Sequence, residues 1–454
     1  MIRKPILIFI CNLFFVLGYA QPENTSFRSQ FDDNSLSSSP QGVYYNDIWG
    51  YTDENGKEYA IVGTAEYTLF IEVTDPDNPT EVTRIASGQS CTWRDYKTFG
   101  HYAYGVADNC NAGLEIFDLS NLPSSVTKVY DSRTLIDDAH NIFIDTATAR
   151  LYVCGINHVS NDLSVLDLAI NPDTPTVISH IDLNLMDEND YVHDLYVKND
   201  TAYLCNGSES RMLIYDVSNT SSIQLLGSVG TTGYNHSTWV SENGKVAVVA
   251  DETHNRPLRV VDITNFDIPV ETSTIKSTLL APNHTNSIAH NPFIIGNNFA
   301  IISYYEDGLQ IYKIDSINEP FRAGYYDTRP GNNNYSGFNG AWGTYPFLPS
   351  GNILVSDVDN GLFVITPNFP LNDCESNVQV SGTYDHHWEL ISKDSLEVKA
   401  AYKDSAEIKL LAPDQITLSG GFEITIGSEL DAQIIDACPN SPALKLSSLQ
   451  KPKD

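Results

Sequence analysis

Positive charge is scarce in this sequence: 26 Lys and Arg stand against 58 Asp and Glu, a formal net charge of −32 at pH 7. Such a field repels phosphate backbones and anionic lipid, which speaks against nucleic acid and bare membrane as partners. Solubility accounts for the acidity; affinity for divalent cations is the sharper reading. After the first twenty residues no apolar run reaches the roughly 20 residues of a membrane-spanning helix. A sustained helical period is missing too. So are a Gly-x-Ser-x-Gly elbow, a Walker loop, His-Glu-x-x-His and Cys-x-x-Cys, and with them the chemistries they carry. Cysteine is sparse, 7 in 454 residues.

What is present begins with a secretory pattern. Arg3 and Lys4 precede an apolar run from Pro5 to Leu17, and the small residues Gly18 and Ala20 stand before Gln21. This predicts a signal peptide over residues 1–20, a mature start near Gln21 and an exported, secreted or cell-surface protein. Cys11 follows Ile10, where a lipidation site would want a small residue. An exported chain matures in an oxidising compartment, which permits disulfides. Cys91 and Cys110 flank a candidate hairpin, Trp93 to Phe99 and Tyr102 to Ala107, symmetrically about its turn at Gly100 and His101. Antiparallel pairing would bring them face to face. Cys374 and Cys438 bracket the C-terminal segment and are a second candidate pair, whereas Cys154 and Cys205 end the same strand in successive repeats and read as buried free thiols.

One apolar strand recurs seven times: LFIEVTD from Leu69, LEIFDLS from Leu114, LSVLDLA from Leu163, LIYDVSN from Leu213, LRVVDIT from Leu258, LQIYKID from Leu309 and LFVITPN from Leu362. Its equivalent positions are Glu72, Asp118, Asp167, Asp216, Asp262, Lys313 and Thr366, roughly 50 residues apart, a length that suits a four-stranded propeller blade. Strand-like segments precede and follow each copy, with Asn-Gly at Asn243, Gly-Asn at Gly296 and Ser-Gly at Ser350 marking tight turns. The last repeat lacks a fourth strand, and FRSQFDD at Phe27, which looks like FRAGYYD at Phe321, is placed to supply it. The fold expected is all-β: a seven-bladed β-propeller over residues 25–368, a small β-rich C-terminal module over 369–438 and a polar tail over 439–454.

The repeated strand resembles the LVIVD repeat. With "AHN" at Ala139 and Ala289, "WRD" at Trp93, "YEDGLQI" at Tyr305 and the run GAWGTYPFLPSGNILVSDVDNGLFVI from Gly340, the chain resembles the choice-of-anchor B family of bacterial surface proteins. The resemblance implies an exported propeller of unsettled role and supplies no catalytic residues. The run ITLSGGFEITIGSELDAQI from Ile416 is similar to a β-rich module found near the C-termini of exported proteins in Bacteroidetes-like bacteria, with Gly420-Gly421-Phe422 where Pro-Gly-Phe is usual.

Aligned on the first strand of each unit, one position reads Asn46, Arg94, His140, His193, His236, His290 and Asn339, and the next reads Asp47, Asp95, Asn141, Asp194, Ser237, Asn291 and Gly340. First strands of a propeller line its channel, so His140, His193, His236 and His290 should face one axis and are the candidate metal ligands. Zn, Mn, Fe or Ni would suit several imidazoles supplemented by carboxylate or water, and Ca stands with Zn and Mn among the candidate ions. His158, His254 and His284 fall in loops expected on the same face, and with Arg94, Asp95 and Asp194 they are candidate ligand-binding residues. The other reading is structural, each His or Asn bonding the neighbouring blade's backbone. Trp49, Trp239 and Trp342 read as packing between blades, the repeat-ending Asp as closing turns, and the acidic run Asp187, Glu188, Asn189, Asp190 as a solvated turn. Two functions stay open: a non-catalytic propeller binding an extracellular protein or glycan, and a metal-dependent lyase or hydrolase acting on an extracellular saccharide.

Overall fold

The computed structural model describes residues 22–435 except 157–161, 184–190, 282–283, 333, 336, 372–377 and 404–405. The signal segment, the candidate pair Cys374 and Cys438, His158 and the acidic run 187–190 lie outside the described residues. Seven four-stranded antiparallel sheets follow one another along the chain, and the protein is a seven-bladed β-propeller. No helix occurs among the described residues, so none is long and apolar enough to cross a membrane.

The innermost strands are Tyr45–Thr52, Trp93–Phe99, Asn141–Asp145, Asp194–Lys198, Asn235–Val240, Pro292–Ile295 and Ala341–Tyr345. The second and third strands of each blade are buried on both faces, as in Glu58–Thr64 and Leu309–Lys313, which is why they read as continuous apolar runs. The fourth strands alternate instead, exposed and half-buried along Thr127–Ser132. Asp118, Asp167, Asp216 and Asp262 each accept the backbone N–H two residues on, at 2.8–2.9 Å, and so close the turn out of the strand.

The seventh sheet is completed from the far end of the chain: Thr25–Phe31 pairs antiparallel with Gly361–Pro367. Every blade has a bulge between its third and fourth strands at the same place, for example between Ile116 and Phe117 or between Ile311 and Tyr312. The borrowed strand has it too, with Arg28 as the extra residue opposite Val364 and Ile365. It is therefore a true fourth strand. Its register is one residue from the one that FRSQFDD and FRAGYYD suggest: Phe27, not Arg28, takes the place of Arg322. At the seam between first and last blades Tyr345 lies where any Cβ on Gly50 would sit, 2.1 Å from it, so that glycine admits the ring.

The C-terminal module is a parallel β-solenoid of three coils, and the sequence had indicated only that it is β-rich. Its sheets stack Val378–Val380 on Ser395–Val398 on Gln415–Leu418, and His387–Ile391 on Glu407–Ala412 on Glu429–Ile434, with two-residue strands making the third face. Trp388 fills its core and meets Phe321 of the sixth blade and Phe369 at ring distances of 5.5 and 5.2 Å. Module and propeller thus share one apolar cluster.

Cys91 and Cys110 form a disulfide across the expected hairpin, their Cα atoms 5.6 Å apart, while Cys154 and Cys205 are free and buried. The bridge closes a loop with a sequence separation of 19, for which loop-closure entropy gives about 3 kcal/mol. Replacing both cysteines by serine should lower the unfolding free energy by about that amount in urea titrations; an unchanged midpoint would show that the bridge constrains nothing.

Candidate functional site

Each inner strand sends side chains into the channel in layers. The uppermost layer holds the imidazoles. Ring centroids are 4.2 Å apart for His140 and His193, 4.2 Å for His193 and His236, and 4.3 Å for His236 and His290. Four successive blades therefore place four histidines on one arc, as their equivalent positions predicted. The seventh blade departs from the alignment. A bulge between Ala341 and Gly343, like that between Asn235 and Ser237, puts Trp342 where His236 stands in its blade. Trp342, and not Asn339, is the ring member; it packs between blades, against Ile288, Tyr305 and Val43, and also lines the mouth 5.2 Å from His290.

Two of the histidines are oriented by the next blade. His193 Nδ1 lies 3.0 Å from the carbonyl oxygen of His236, and His290 Nδ1 bonds the carbonyl of Trp342. A carbonyl only accepts, so Nδ1 carries the proton in both and Nε2 keeps its lone pair. Backbone bonds that hold this tautomer are the usual support of a metal-binding imidazole. His140 differs, with Nδ1 2.9 Å from Oδ2 of Asp108.

A carboxylate joins the arc from a loop that sequence reasoning passed over. Glu252, just after the strand Val246–Asp251, puts Oε2 3.8 Å from His236 Nε2 and Oε1 3.7 Å from His290 Nε2. The donor atoms of His193, His236 and Glu252 all lie within 4.8 Å of one another. Tyr305 donates its phenol proton to Oε1 of Glu252 at 2.5 Å and lies tilted against the His290 ring at a centroid distance of 4.6 Å. The available signal was the acid two residues before His254 in "DETH", but nothing in its spacing points at the channel.

Burial dominates the electrostatics. It holds His193 and His236 well below the ordinary imidazole range, neighbouring imidazoles adding to the effect, and takes His290 down to about 3. Burial also pushes Glu252 up to about 7. These groups resist carrying charge by themselves; a cation placed among them would keep the imidazoles neutral and draw the proton off Glu252, because neutral nitrogen and carboxylate oxygen are the forms that ligate.

The cavity they bound has a volume of about 50 Å³ and is also lined by Asp47, Trp93, Asp95 and Asn141. That is room for an ion with a few waters, far below the roughly 300–1,000 Å³ of a pocket that engulfs a small organic molecule. Beneath it a chamber of about 30 Å³ is lined by Asp47, Asp95, Lys97, Asp194 and Ser237 among others. Lys97 Nζ donates to both oxygens of Asp95 at 2.7 and 2.9 Å, and burial lifts Asp194 to about 7. An aromatic floor ends the channel: Trp49 meets Tyr345 at 5.0 Å, Trp239 meets Phe293 at 4.8 Å and Tyr196 meets Trp239 at 4.5 Å. Trp49 and Trp239 thus close the channel, and the cavity faces the histidine end.

The other sequence-predicted residues fall around this centre. Arg94 is in the cavity wall, but its Nε and Nη2 donate to the carbonyls of Thr64, Ala65 and Ser87. Asp95 and Asp194 are one layer down. His254 is exposed on the histidine face, bonded to the carbonyl of Asn286 and 5.8 Å from Phe338, which in turn lies 5.5 Å from Tyr305. His284 is half-buried in its loop, where its backbone N–H bonds the carbonyl of Leu280, and it is not brought to the arc.

No family model matches this chain, and no curated protein matches it. Among solved structures it is similar to the crystal structure of a protein from Lactobacillus plantarum, with a TM-score of 0.51 and 12% identity, over 68% of this chain and 88% of that one. At that identity the likeness speaks for the fold alone.

Proposed function

We propose that this is an exported propeller whose channel mouth is a mononuclear divalent-metal centre, held by His193, His236 and Glu252 with His290 beside them, acting as a Lewis acid in lyase or hydrolase chemistry on a neutral extracellular saccharide. The observation that carries the reading is the convergence of neutral imidazole nitrogens and one carboxylate in a cavity sized for an ion, open at one end. Three protein donors leave positions for water or substrate. Export through residues 1–20, location at the cell surface and membership of the choice-of-anchor B family belong to the same proposal. The Cys91–Cys110 bridge supports an oxidising compartment. The acidity of the chain disfavours a polyanionic substrate and is compatible with a neutral saccharide.

Elemental analysis of the mature protein tests it. We expect one equivalent of a transition ion per chain, removable by chelation and restored by Zn²⁺ or Mn²⁺. A metal-free protein that takes up neither ends the reading. The second reading is a non-catalytic binder of a protein or glycan; the exposed Phe338 beside Tyr305 and His254 favours it, since an apolar ring at a mouth suits docking. It predicts ligand binding that chelation leaves unchanged.

A further inference from the structure

Tyr305 is the strained residue of this face. Its φ is +41°, a left-handed conformation that a bulky residue rarely adopts, yet the residue is buried at 2% exposure. The surroundings enforce it. Tyr305 exchanges both backbone hydrogen bonds with Ala341 of the next blade, at 3.2 and 2.8 Å. Gly340 passes so close that a Cβ there would stand 2.3 Å from the Tyr305 carbonyl oxygen. This fixed backbone sends the ring against His290 and the hydroxyl onto Glu252. Packing alone needs no hydroxyl and no strain.

We infer that Tyr305 is the positioning and selectivity residue of the metal centre: by donating to Oε1 of Glu252 it occupies one lone pair of that oxygen, fixes the carboxylate, and favours Oε2, the oxygen facing His236, as the metal donor. The inference rests on the metal reading above and adds which ion it takes. A nitrogen-rich set with one carboxylate oxygen suits Zn²⁺ and its transition-metal neighbours. Ca²⁺ takes six to eight oxygens and favours bidentate carboxylates, a mode that a phenol competing for Oε1 opposes. Of the ions considered from the sequence, Ca²⁺ is the one this arrangement disfavours.

The test titrates metal-free wild type and Tyr305→Phe with Zn²⁺ alone and with Ca²⁺ alone, and follows the thermal midpoint of the metal-free forms. The expected result is a Zn²⁺ affinity about 10–100-fold weaker in the variant, the usual loss when a ligand's supporting partner is removed, with Ca²⁺ affinity unchanged or raised. A cycle with Glu252→Gln separates positioning from general damage. Once Glu252 is Gln, Tyr305→Phe should cost nothing more in Zn²⁺ affinity, whereas a tyrosine that merely holds the fold costs the same in both backgrounds. Equal affinities of wild type and Tyr305→Phe remove the clamp and leave the centre. A wild type that binds no Zn²⁺ removes both.

Discussion

A chain lacking residues 22–31 is expected to lose cooperative folding, because that segment ties together parts that are distant in sequence. Its strand covers the edge of Gly361–Pro367, so without it the seventh blade exposes a row of unpaired backbone groups beside Leu362, Val364 and Ile365, all buried in the intact protein. Thr25 Oγ1 donates to the carbonyl of Tyr325, and Asn24 Nδ2 to that of Ala323, both in the sixth blade. Asn24 Oδ1 accepts the backbone N–H of Thr383, in the solenoid. Ser29 Oγ reaches the carbonyl of Pro76 in the first blade. The exposed pair of Arg28 and Asp77 adds little. Losing one strand and these cross-blade bonds should cost about 5 kcal/mol or more, against about 5–15 kcal/mol for a whole domain. Urea unfolding followed by tryptophan fluorescence measures it. A truncated protein with a midpoint near that of the intact one would mean that six and three-quarter blades close by themselves.

The second large effect is chemical. Changing His193 and His236 together to Ala should abolish stoichiometric metal, weakening uptake by far more than the 10–100-fold that loss of one supporting partner brings. Stability should fall less. The substitution at His193 leaves the buried carbonyl of His236 without its donor, which costs about 1–3 kcal/mol. The two readouts separate the readings: metal loss with modest destabilisation fits a centre, and destabilisation in a wild type that never held metal makes the imidazoles inter-blade struts.

Much of the fold was legible because a propeller repeats its local chemistry. Each blade needs the same apolar third strand, and four of the seven close the turn after it with the same Asp, so seven copies at a near-constant spacing announce seven sheets. The free end of the last blade announced its missing strand for the same reason, since an unpaired edge has to be covered. The histidine arc followed from equivalence of position alone. Legibility failed where geometry departs from that equivalence. Trp342 stands three residues past the Asn339 expected there, and Phe27 one position from the place its likeness to Phe321 suggests, although the bulges themselves are shared with the compared blades. Backbone pairing sets these registers, and short sequence likenesses do not record it. The parallel solenoid was equally hidden: strands that pair across coils of unequal length leave alternation in the sequence but no pairing partner.

The sequence by itself therefore determined the number of blades, their closure by the chain's own start, the Cys91–Cys110 pairing and which histidines share an axis, because each depends on periodicity or on symmetric placement along the chain. Only the tertiary structure decided that Glu252 enters the arc, that Tyr305 holds it and that aromatic rings shut the far end. Those facts depend on where a loop side chain reaches across a blade boundary, and that distance is set by bulges and packing that no linear spacing records.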